Sequence, residues 1–153
     1  MKNARTAFGV GAAVAGAMLL AAPSAIAVEP QTATLGFDCG TWGSGEATLE
    51  ATQDGTAATL TITTDAITAP IPIAENSASS TLTLTRNGTD TVEFSGSSNP
   101  AIPIGAPADT GPLSGTVASG DSLEATSLTV SVLGITAECN ATTPQDPGPF
   151  VFE

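Results

Sequence analysis

The side chains best suited to chemistry are few: two cysteines, Cys39 and Cys139, one tryptophan, Trp42, and 15 carboxylates. The chain has no His and no Tyr, and its one lysine is Lys2. Beyond residue 27 the usual general base and amine nucleophile are therefore missing, which leaves carboxylates, hydroxyls and backbone groups. Glu46 and Glu50 come nearest to the carboxylate pair that hydrolyses glycosides. They stand four residues apart on an alternating stretch, so they share one polar strand face and read as solvated. Asp54, Asp109 and Asp121 fall in turn-like sequence, where Asp is an ordinary turn former. Neither an EF-hand loop nor a His and Cys cluster occurs. No catalytic residue, no metal site and no cofactor is expected.

Two cysteines in an exported chain pair by default. Cys39 continues the apolar alternation of Ala33, Leu35 and Phe37, and Cys139 continues that of Leu133, Ile135 and Ala137. Both sulfurs are expected to face inward, so the bond ties the first strand to the last. Trp42 follows three residues after Cys39 in a glycine-rich loop, residues 40–45. In a domain so poor in aromatics it is expected to cover the disulfide as a core plug. The alternative is a ligand site in which Trp42, Phe94 and the isoleucines of two Pro-Ile segments line a surface for a sugar or an apolar molecule.

Export is itself a sequence expectation. Lys2 and Arg5 form a positive leader, an apolar run of small residues spans 7–22, and Ala25-Ile26-Ala27 is a small-x-small cleavage site. Residues 1–27 are thus expected to be a cleaved signal peptide, 28–143 a single domain, and 144–153 a Pro-rich tail whose Phe150 and Phe152 are free to dock on the body or on a partner. After cleavage Arg86 is the one base against all 15 acids. Such a surface repels phosphate backbones and anionic lipid, so no nucleic-acid partner and no electrostatic membrane binding is expected. The expected product is an extracellular monomer, associated with the cell wall or free.

No stretch after Ala27 carries a helical stripe. Period-two alternation recurs instead, and it is longest over Ser127 to Cys139, where the apolar phase flips beside Gly134. That flip reads as a β-bulge in one bent strand, or as two strands meeting at a corner. Parity tests two hairpins. Ala47, Leu49 and Ala51 are odd while Ala58, Leu60 and Ile62 are even, so a two-residue Asp54-Gly55 loop is expected to set Leu49 against Leu60. Leu82, Leu84, Val92 and Phe94 are all even, so an odd loop, Arg86-Asn87-Gly88, is expected to set Leu82 against Val92. Residues 101–104 echo the Pro-Ile run of 70–73 at an offset of 31 positions.

Seven to nine short strands with Gly, Pro, Asn and Asp turns predict an all-β fold. Its expected form is an antiparallel two-sheet sandwich of immunoglobulin-like type, with a small barrel as the competing architecture. The Ala- and Gly-rich leader, Phe37-Asp38-Cys39 and the closing run Leu133 to Cys139 together resemble secreted sandwich domains common in actinomycetes, over Leu35 to Thr143. That resemblance implies a fold and no activity. The chain is also similar to the apoprotein carriers of enediyne antibiotics, small acidic sandwiches that differ in having two short-loop disulfides. The expected function is a non-enzymatic interaction domain for an extracellular protein or cell-wall component. Two alternatives stand beside it: a carrier for an apolar small molecule or carbohydrate, and a small inhibitor of an extracellular hydrolase.

Overall fold

The computed structural model describes residues 27–153. The expected signal peptide, apart from its last residue Ala27, lies outside the described residues. Ten strands follow: β1 (Val28–Glu29), β2 (Thr32–Asp38), β3 (Ser44–Asp54), β4 (Ala57–Thr68), β5 (Ala78–Arg86), β6 (Asp90–Gly96), β7 (Pro107–Thr116), β8 (Ser122–Val132), β9 (Ile135–Ala141) and β10 (Phe150–Phe152). A 3-10 turn, Gly40–Trp42, links β2 to β3. No helix among the described residues is long and apolar enough to cross a membrane.

The order around the sheet is β8-β5-β6-β7-β4-β3-β2-β9, and β9 pairs again with β8. Eight strands therefore close into an antiparallel barrel, and the expected two-sheet sandwich is wrong. The reason lies in β9, which bonds on both sides. It runs against β8 from Ser127↔Asn140 to Val132↔Ile135 and against β2 at Phe37↔Ala141 and Asp38↔Asn140. A sandwich keeps free edges between two sheets, and here the last edge is consumed. Curvature comes from bulges. Thr126 is an extra residue between the pairs Thr83↔Ser127 and Leu84↔Ala125, and its hydroxyl donates to the Thr83 carbonyl at 3.0 Å. On the other side the register shifts between Thr61 and Thr63, where Thr110 Oγ1 accepts the Ile62 amide at 3.1 Å in place of a ladder bond.

The long run Ser127 to Cys139 is a hairpin and not one bent strand. Leu133 and Gly134 form its two-residue turn, with φ of 51° and 77°, the left-handed pair of a type I′ turn. A two-residue loop requires the apolar phase to change parity, which is the flip seen in the sequence. The other hairpins keep the expected faces with pairs displaced. The first turn is Gly55-Thr56, so Leu49 meets Ile62 and Ala51 meets Leu60. The second loop is odd, as expected, but comprises Asn87, Gly88 and Thr89, so Leu82 meets Phe94.

Both ends of the described chain join the body. Val28 pairs with Phe152, and Phe150 with Leu123 at the start of β8. Val28 is thus a buried strand residue, and Phe150 and Phe152, expected in a free tail, dock on the barrel itself. With Phe94, Leu84, Leu113 and Leu123 they fill one end of the interior. Phe94 lies over Gly115, where a Cβ would strike the ring. At this filled end Arg86 Nε stands 3.3 Å from Asp121 Oδ2, and Asp121 Oδ2 also accepts the Ala118 amide at 2.9 Å.

Candidate functional site

The opposite end of the barrel is hollow. Alternation sends one face of every strand inward, but near this end several inward positions hold small side chains: Ala47 on β3, Ala78 on β5, Ala108 on β7 and Ala137 on β9 all line the space. Eight-stranded barrels have room either for side chains or for one small ligand. With methyl groups at these positions, a cavity of about 430 Å³ remains. Its floor includes Leu49 and Leu82, and its wall includes Leu128 and Val130 from β8.

The wall nearest the seam carries the disulfide. Cys39 and Cys139 are bonded, as expected, with Cα atoms 4.0 Å apart, and both line the cavity. The bond stands where β2 meets β9, a seam of two registered pairs. Beyond those pairs the Thr142 amide donates to Gly36 O at 2.8 Å and the Gly36 amide to Thr143 Oγ1 at 2.7 Å. The disulfide thus fastens the joint that makes the sheet a barrel.

Trp42 is not a core plug. It is 44% exposed and stands on the cavity's rim. The 3-10 turn fixes its place: the Gly40 amide donates to Asp38 Oδ1 at 2.7 Å, and the Cys39 amide to Gly43 O at 2.8 Å. Exposed Ile71, Leu133 and Ile135 share the rim with it. Leu133 is 69% exposed and holds a left-handed backbone where Asn or Gly is the comfortable residue. An apolar side chain kept at such a site is a departure from local propensity that turn formation does not require.

The two echoing Pro-Ile segments meet as a ribbon at this end. Ile73 and Ile102 exchange backbone bonds of 2.9 Å, and the Gly105 amide donates to Ala69 O at 2.8 Å. Ile71, Ile73 and Ile102 line the cavity, whereas Ile104 points away and is exposed. Asn99 anchors the ribbon. Its Oδ1 accepts the amides of Ser77 and Ala78 at 2.9 and 2.8 Å, and its Nδ2 donates to the carbonyls of Ala74 and Pro100, both at 2.9 Å. All four of its hydrogen-bonding positions are used although the residue is buried.

Phe94, expected beside Trp42, is fully buried in the filled end and lies outside the cavity lining. Glu46 and Glu50 are both exposed on the outer face of β3. Of the three aspartates expected in turns, Asp54 ends β3, Asp109 lies within β7, lines the cavity and accepts the Gly111 amide through Oδ1 at 2.7 Å, and Asp121 is engaged by Arg86. Sequence reasoning missed Ser80, which is 2% exposed, lines the cavity, and has a hydroxyl without a hydrogen-bond partner. Parity could have found it, since it shares the even, inward face of Leu82 and Leu84. Compared with protein-family models, curated proteins and solved structures, the chain matches none.

Proposed function

We propose that the protein is a non-enzymatic binding barrel that carries one neutral, apolar small molecule outside the cell. The observation that supports this most strongly is the cavity, about 430 Å³, within the size range of small-molecule sites. An empty apolar space forfeits contacts that larger side chains could supply at little cost in sequence, so leaving alanines such as Ala47, Ala78, Ala108 and Ala137 on its wall favours an occupant. The rim offers Trp42, Ile71, Leu133 and Ile135 as an apolar approach. The wall has too few polar groups to match the many hydroxyls of a carbohydrate, which would leave them unpaired. The outer faces of β3 to β5 carry Thr, Ser and acidic residues, suited to a soluble carrier. The disulfide suits an oxidising compartment, in keeping with an extracellular site of action.

Titration with N-phenyl-1-naphthylamine, a neutral apolar fluorophore, tests the reading. One saturable site is expected, lost when the cavity is filled by Ala78→Leu with Ala137→Leu in a protein that still folds. Absence of saturable binding to the unsubstituted protein, or undiminished binding to the filled variant, would overturn it.

A further inference from the structure

The cavity wall is not uniformly apolar, and burial together with hydrogen bonding distinguishes one of its hydroxyls: Thr68 is exposed and Ser127 half-buried, and the others differ in how they are engaged. Thr110 Oγ1 donates to Gly111 O at 2.8 Å and accepts the Ile62 amide. Thr64 Oγ1 donates to Glu46 O at 2.7 Å and accepts the Ala66 amide at 3.1 Å. Thr126 Oγ1 is committed to Thr83 O. Ser80 Oγ is buried and has no hydrogen-bond partner among the described residues. A buried hydroxyl without a hydrogen bond is costly, and one that persists in a folded protein calls for a partner. Alanine would fit the same position, as Ala78 does two residues away on the same face.

Ser80 also has a definite depth. On β5 it lies between Ala78 and Leu82, both of which line the cavity, while Leu84, the next inward residue, belongs to the filled end. Its neighbours across the ladders are Val130 on β8 and Gly96 on β6. The glycine adds no side chain that could bond the hydroxyl. Ser80 thus stands one step above the floor, away from the rim residues Trp42 and Leu133. No basic side chain lines the cavity; Arg86, the one base among the described residues, is paired with Asp121 at the filled end.

We propose that Ser80 Oγ is the polar anchor of the site, and that the natural ligand is a neutral molecule with an apolar body and a hydroxyl or carbonyl oxygen at its inner end. This rests on the carrier reading and adds the ligand's class and orientation. The oxygen enters first and bonds Ser80, and the apolar body extends past Ile73 and Ile102 toward Trp42. A carboxylate is refused, because it meets no cation and would be stripped of water in an acidic protein.

Octan-1-ol, octane and octanoate are the probes, with the fluorescence of Trp42, the only tryptophan, as the readout. Octan-1-ol is expected to bind about three- to tenfold more weakly to Ser80→Ala than to the unsubstituted protein, the worth of one net hydrogen bond. Octane is expected to bind both within twofold, and octanoate neither. Ser80→Cys, similar in size but a poor donor, is expected to behave as Ser80→Ala. The ligand-free Ser80→Ala protein is expected to melt no lower than the unsubstituted one. If octane binds and the serine substitutions leave octan-1-ol affinity unchanged, the anchor is refuted while the carrier reading stands. If neither octane nor octan-1-ol binds, the carrier reading fails and the anchor with it. A lower melting temperature for ligand-free Ser80→Ala would mean that the hydroxyl is already satisfied by the protein, which also refutes the anchor.

Discussion

Replacing both cysteines, as Cys39→Ser with Cys139→Ser, removes a crosslink at the short joint between β2 and β9. The bonded residues are 100 positions apart, and a loop of that length corresponds to about 4.7 kcal/mol in the chain-entropy model. Without the bond, the seam of β2 with β9 and the segment that follows it rests on two registered pairs, the hydrogen bonds from Thr142 and to Thr143, and the reciprocal Thr34–Asp146 backbone bonds of 2.8 Å. Each of these contributes only about 0.5–1.5 kcal/mol, so native contacts do not replace the covalent restraint. For a domain of roughly 125 residues the unfolding entropy is about 0.26 kcal/mol/K, so a loss of about 4.7 kcal/mol lowers Tm by about 18 °C. Calorimetry of the double serine variant checks the magnitude. Hydrogen exchange checks the place: amides of Gly36 and Thr142 are expected to lose protection before those of the β3–β4 hairpin. A Tm within about 3 °C of the disulfide-bonded protein, or uniform loss of protection, would refute the view that this bond closes the barrel.

Three further substitutions probe separate parts of the account. Leu133→Asn relieves a left-handed leucine and is expected to raise stability by about 0.5–1 kcal/mol while weakening naphthylamine binding, as read by denaturant melts and titration. Equal affinity would remove Leu133 from the site. Asn99→Ala strips four hydrogen bonds from the Pro-Ile ribbon and is expected to cost about 2–4 kcal/mol in urea unfolding; a cost below about 0.5 kcal/mol would show that the ribbon stands without it. Gly115→Ala places a methyl against the Phe94 ring and is expected to cost about 1–3 kcal/mol with ligand affinity kept, since both residues lie outside the cavity. Loss of binding in a folded Gly115→Ala protein would contradict the division into a filled and a hollow end.

Much of this was legible in the sequence where a local rule governs it. Period-two alternation identified an all-β chain, though it ran β8 and β9 together and left β10 in a tail, and the phase of Cys39 and Cys139 put both sulfurs on the inner side. Parity found the faces of the hairpins around Gly55 and Gly88, yet missed their pairings by one step. Parity constrains which face a residue takes, and turn geometry decides which partner it meets. Closure was not legible, because a barrel and a sandwich both have one inward face and show the same alternation. The difference rests on β9 bonding two neighbours and on the bulge at Thr126, and neither leaves a composition signal. Trp42 was misplaced by an argument from scarcity of aromatics. Phe150 and Phe152, read as a loose tail, fold back and fill the core with Phe94, so the indole is not needed inside. The cavity was written in alanines at inward positions, which read as ordinary small core residues until the barrel is closed around them.

The central claim is that the hollow end receives an apolar molecule while the filled end does not. Methyl-resolved NMR of the isotopically labelled protein, titrated with octan-1-ol, tests it most directly. The account predicts saturable shifts at Ile71, Ile73, Ile102, Leu128 and Val130, which line the cavity, and near-constant signals at Leu84, Leu113 and Leu123 in the filled end. Saturating octan-1-ol without shifts in the first group, or with equal shifts in both, would contradict it.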